Sequence, residues 1–124
     1  EAIEVFDKSL KIKPDFWQAI NNKGLAYFEK DYINLSIKLF EKAISIKENA
    51  EPLLGLASCL RQRDIKLALQ LARKALDKDP KYVNYDYRKE QLWGEKLQSS
   101  TQILLQNEQL QKNVITAKTK INAS

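Results

Sequence analysis

Three observations predict an all-α fold. Ala, Glu, Lys, Leu and Arg supply 58 of the 124 residues, the usage of a helical chain. Gly and Pro number three each, far below the roughly 12% they jointly reach in average chains, so little of the sequence is punctuated as turn. One apolar pattern also recurs at an offset of 34 and then of 32 residues. A helical pattern repeating at that period implies hairpins stacked on one another, because a single hairpin cannot cover its own apolar face.

The copies are Ala2-Ile3-x-Val5-Phe6-Asp7-Lys8-Ser9-Leu10, Ser36-Ile37-x-Leu39-Phe40-Glu41-Lys42-Ala43-Ile44 and Ala68-Leu69-x-Leu71-Ala72-Arg73-Lys74-Ala75-Leu76. Pro14, Glu48 and Pro80 follow them at one distance, so two of the three end at a helix-stopping residue. A second pattern lies between them: Ile20, Gly24 and Tyr27 match Leu53, Ala57 and Leu60 at an offset of 33. The first helix therefore ends before Pro14. Asp15 is expected to cap a helix to about Glu29, and Asp31 to open one to about Lys47. Asn49 is expected to open another to about Gln62, with Pro52 tolerated in its first turn, and Asp64 to cap one to about Lys78. Small residues at Gly24, Ser36, Ala43, Ala57, Ala68 and Ala75 allow close helix approach, while Phe6, Tyr27, Phe40 and Leu60 fill the remaining space.

No further copy begins after Pro80. Leu92, Trp93, Leu97, Thr101, Leu104 and Leu105 fall at helical spacing, as in the atypical helix that closes a repeat stack. Asn107 is expected to open a last helix carrying Leu110, Val114, Ala117 and Ile121. The expected organisation is two and a half hairpins over residues 1–80, the first truncated, and capping helices over 81–124. Because the chain opens inside an amphipathic pattern, it reads as a piece of a longer protein. No signal-peptide core is visible and no stretch approaches the 18 or so apolar residues of a membrane span, which makes the cytoplasm the default location.

Composition also narrows the chemistry. With no histidine, the usual general base and zinc ligand are missing. The single cysteine, Cys59, sits at a small-residue position and is expected to be a buried structural thiol. Neither metal-ligand clusters nor phosphate-binding glycine loops are visible, so no catalysis, metal or cofactor is expected. Residues 1–79 carry 14 basic and 12 acidic side chains; residues 80–124 carry 7 and 4.

The residues resemble the tetratricopeptide repeat family. Gly24, Tyr27, Ser36, Phe40 and Ala43 match its pattern in one complete copy, while Lys23 and Glu48 depart from the usual Leu and Pro. Ala2, Phe6, Ser9 and Pro14 match the end of a preceding copy, and Leu56, Ala57, Ala68, Ala75 and Pro80 a following one. The stretch Glu90 to Leu97 is similar to the tail of such repeats in some proteins of photosynthetic bacteria.

The resemblance implies a right-handed α-solenoid acting as a non-catalytic protein-interaction scaffold, with a peptide or protein partner in its concave groove. It places the groove-facing positions on Gln18, Asn21, Leu25, Phe28, Glu51, Leu54, Ser58 and Arg61. Amides there can pair with an extended peptide and apolar side chains can accept its side chains. In the class that grips chaperone C-terminal carboxylates, the clamp is Lys, Asn, Asn, Lys and Arg. Here Asn22 fits one Asn, but Leu25, Glu51 and Gly55 replace other members, so that ligand is not expected. Trp17 either packs the hairpin junction or contacts the partner. Two alternatives stand beside the scaffold reading: nucleic-acid binding through the tail of Lys112, Lys118 and Lys120, and self-assembly through the apolar face of Ile3, Phe6 and Leu10.

Overall fold

The computed structural model describes residues 2–123. The helices are α1 (Ala2–Ile12), α2 (Trp17–Glu29), α3 (Ile33–Ile46), α4 (Ala50–Leu60) and α5 (Ile65–Lys78), then α6 (Tyr85–Glu90), α7 (Glu95–Leu105) and α8 (Gln111–Asn122). Single 3₁₀ turns at Pro80–Val83 and Glu108–Leu110 lie between them. Each of the first four helices packs on the next. The chain then returns: α7 lies across α2 and α4, and α8 packs on α5 and the Pro80–Val83 turn.

Phe40 explains the small residues. Its side chain is fully buried, and a Cβ built at Gly24 would lie 3.0 Å from its ring, one at Gly55 2.8 Å. The ring of α3 thus rests against the backbones of both α2 and α4, a distance that only glycine permits without displacement. Beside it the Ser36 hydroxyl donates to the Gly24 carbonyl at 2.8 Å, so the polar member of the small set is satisfied inside the core. Ala43, Ala57, Ala68 and Ala75 are fully buried, as their recurrence implies. Residues Pro52 through Cys59 of α4 are all buried, which fits a helix apolar on every side and enclosed by α3, α5 and α7. By contrast, α1 buries none of its residues.

Helix boundaries follow the expected punctuation in part. Asp64 caps α5 as expected, its Oδ1 accepting the Leu67 N–H at 3.2 Å. Asp15 does not cap α2; the N-cap is Phe16, with no side-chain bond. Asp31 closes α2 rather than opening α3. It adopts φ 67°, Asp31 N–H bonds the Phe28 carbonyl, Tyr32 N–H bonds the Tyr27 carbonyl, and the rings of Tyr27 and Tyr32 meet at 5.8 Å. That is a Schellman ending, in which aspartate tolerates the left-handed position better than most side chains.

A second Schellman ending breaks the helix expected through Leu92 and Leu105. Leu92 takes φ 70°, its N–H bonds the Lys89 carbonyl, and Trp93 N–H bonds the Arg88 carbonyl. The apolar spacing is real, but Leu92 itself is 76% exposed and Trp93 only 4%, because the chain reverses between them. Asn107 caps the Glu108–Leu110 turn through its side chain, and α8 follows with Leu110, Val114 and Ala117 buried as expected.

Candidate functional site

The face shared by α2 and α4 carries the sequence-predicted contact residues, and α7 is fastened over it by directional bonds. Glu29, the last residue of α2, accepts the backbone N–H groups of Lys96 at 3.0 Å and Leu97 at 3.1 Å. These are orphan donors of the first turn of α7, so a carboxylate from another helix caps them. A Cβ at the preceding Gly94 would collide with the Glu29 side chain, so this approach also requires glycine. Further along, the Ser58 and Thr101 hydroxyls meet at 2.7 Å in the buried interior. Ser100 donates to the Ser58 carbonyl at 2.8 Å, and Arg61 Nε donates to Ser100 Oγ at 3.2 Å.

Near the start of α4, the Glu51 carboxylate accepts Trp93 Nε1–H at 2.9 Å and Tyr82 O–H at 3.2 Å. Burial raises its pKa above the ordinary value, and the hydrogen bonds from Trp93, Asn21 and Tyr82 offset this only in part. The same burial, followed by the Glu51 charge, pushes the Tyr82 phenol up. Asn21 is 1% exposed, and its Oδ1 is the one buried side-chain N or O among the described residues without a partner.

Two clefts flank this covered face. One, of about 310 Å³, is lined by Phe28, Ser58, Arg61, Arg63, Lys96 and Ile103 among others, with no carboxylate in its lining. Among the described residues, Arg61 and Arg63 bond neutral oxygens alone, those of Ser100 and Asn34, whereas Lys96 pairs with Asp31 at 2.7 Å. Ile103 is 51% exposed at its edge. Cys59 also lines it but is 6% exposed, and burial pushes its thiol up to about 12, so it is a protonated and unreactive thiol at neutral pH. The other cleft, of about 390 Å³, brings Trp17 beside Glu48, Glu51, Lys78, Asp79 and Tyr82. There Lys74, and after it Lys78, holds the Glu48 carboxyl below its usual pKa.

Residues 18–49 match the family model of the tetratricopeptide repeat. The chain carries a tetratricopeptide repeat. The matched stretch holds most of α2, all of α3 and the link to α4, which is the hairpin closed around Phe40. No curated protein matches the chain. Tetratricopeptide repeats serve as protein-interaction scaffolds and are typically non-catalytic. Among the described residues no helix is long and apolar enough to cross a membrane, and no group of three or more His, Cys, Asp or Glu is placed to hold a metal ion.

The repeat places its predicted groove positions unequally. Gln18 stands in solvent. Asn21, Leu25, Phe28, Leu54 and Ser58 are buried, and Glu51 and Arg61 are half-buried. Leu25, Phe28 and Leu54 share a buried apolar cluster with Trp93, Leu97 and Leu104 of the chain itself. Phe28, Ser58 and Arg61 still come together, at the open cleft. Trp17 lines the acidic cleft.

Sequence reasoning missed the residues that close the repeat, namely Glu29, Gly94, Ser100 and the pairing of Arg88 with Gln98. The one signal for them was Gly94 directly after Trp93, a glycine and a large ring inside an otherwise helical pattern.

Proposed function

We propose that the chain is a non-catalytic protein-interaction scaffold whose contact surface is the cleft between α2, α4 and α7. The observation that carries this reading is the convergence of Phe28, Ser58 and Arg61 with Arg63, Lys96 and Ile103 on one open surface of a tetratricopeptide repeat. Two guanidinium groups without a carboxylate, next to an exposed Ile103, fit an acidic segment with an apolar anchor. Gln18 stands in solvent outside this cleft, and the covered positions, Asn21, Leu25, Glu51 and Leu54, serve a partner only where α7 is displaced.

The test is affinity capture on the full-length protein, with nuclease treatment, comparing the wild type with an Arg61→Glu, Ile103→Asp double variant of unchanged circular dichroism. Protein partners that survive nuclease and vanish in the variant are expected. Capture that ignores the variant removes the cleft from the reading, and capture that disappears with nuclease favours the tail of Lys112, Lys118 and Lys120. Self-assembly is a second reading because α1 leaves Val5 and Ile12 59% and 88% exposed. A mass in solution that rises with concentration, and falls back in Val5→Glu, supports it.

A further inference from the structure

A third cleft, of about 420 Å³, lies where α6, α7 and α8 meet, and Asn84, Arg88, Gln102, Gln106 and Lys118 line it. Arg88 is only 1% exposed. Its Nε donates to Gln98 Oε1 at 2.6 Å and its Nη1 to the Tyr82 carbonyl at 2.8 Å, both neutral acceptors. No carboxylate of a described residue pairs with it; Glu95, on the neighbouring helix, accepts from Tyr85 O–H instead. A buried charge is ordinarily paired with an opposite one, because the desolvation it suffers is otherwise uncompensated. Gln98 accepts from Nε and the Tyr82 carbonyl from Nη1, and no described residue accepts from Nη2, the guanidinium nitrogen left for an anion in the cleft.

The rest of the lining has the same character. Lys118 of α8 makes no ion pair with a described residue. The side chains of Asn84, Gln102 and Gln106 donate to no described residue either, so their amide hydrogens are available. No acidic residue among the described ones lines the cleft. Two cations and three unused amides thus line one cleft with no negative group among the described residues to balance them.

We propose that this cleft binds a small oxyanion, a phosphate or carboxylate group, held between Arg88 and Lys118. Planar guanidinium donors and a point-charge ammonium are the pair that such oxygens accept from most strongly. Burial lowers the Arg88 pKa to about 10, which keeps it charged at neutral pH. The inference is independent of the scaffold reading, since this cleft shares no lining residue with the Arg61 cleft.

The experiment is a nuclear magnetic resonance titration of the whole chain at constant ionic strength, with inorganic phosphate in one arm and N-acetylglycinate in the other, against a chloride background. Saturable shifts are expected at Arg88 Nε–H and at the Gln102 and Gln106 amides. Saturation by phosphate alone assigns a free phosphate-type ligand, and saturation by N-acetylglycinate alone assigns a peptide carboxylate. Because Arg88→Met removes the bonds to Gln98 and Tyr82 and so endangers the fold, the deciding variant is Lys118→Glu. It is expected to weaken binding about tenfold with an unchanged melting temperature. Shifts that stay linear with both anions, binding equal in Lys118→Glu, or shifts centred on Arg61 and Arg63 overturn the proposal.

Discussion

Between α2 and α5 the contacts are set mainly by size, whereas α7 adds a set of hydrogen bonds to its apolar packing on those helices. In the hairpins a large ring, Phe40, fills the space left by Gly24 and Gly55, and buried alanines set the helix spacing. The α7 contact uses a carboxylate cap from Glu29 and the Ser58–Thr101 hydroxyl pair, and the segment before it is held by the Glu51 bonds to Trp93 and Tyr82. Size complementarity repeats wherever the hairpin repeats. Hydrogen bonds depend on individual donor and acceptor positions, so they fasten one segment at one place. The lesson is that a face of a helical hairpin can be covered by later chain through bonds that owe nothing to the repeat pattern.

The largest effect is expected from the size-based region. Phe40→Ala should cost about 3–5 kcal/mol, because a fully buried ring leaves a cavity that two helix backbones cannot collapse into. Urea denaturation checks it, and a cost near 1 kcal/mol would break the contrast between the two regions. Next, Thr101→Val should cost about 1 kcal/mol, the net worth of one buried hydroxyl bond, since Ser58 keeps its bond to the Leu54 carbonyl. Adding Ser58→Ala should cost less than the sum of the two single changes, and full additivity in the double-mutant cycle would mean the pair does not couple.

The smallest effect is a pH dependence. The folded pKa of Glu51 lies above its ordinary value of 4.5, so between those two values the folded state holds a proton that the unfolded state has released. Stability contributed by this group therefore rises as pH falls from neutral through the raised value toward 4.5, and above the raised value the ionised form costs stability. Glu51→Gln should flatten unfolding free energy against pH in that window, and an unchanged slope would show that another group carries it.

The repeat was legible because its constraint is periodic. Gly24, Ser36, Phe40, Ala43, Ala57 and Ala75 announce the hairpins, since close packing demands small and large residues at fixed spacing. Asp64 was legible as a cap because its bond is local. Asp31 and Leu92 were not legible as helix ends, because a left-handed position occupied by Asp or Leu instead of Gly leaves no compositional mark. Nor was the coverage of Asn21, Leu25 and Leu54, because whether a helix face is open depends on where distant chain lies.

The sequence by itself determined that the chain is helical, that residues 18–49 form a repeat hairpin, and which residues are small at its contacts. Those follow from helical period and side-chain volume, which local sequence encodes. Only the tertiary structure decided that α7 lies over α2 and α4, that Phe28, Ser58 and Arg61 share an open cleft, and that Arg88 is buried without a counter-charge. Each of these joins residues on different helices through geometry and charge balance, which no spacing along the chain records.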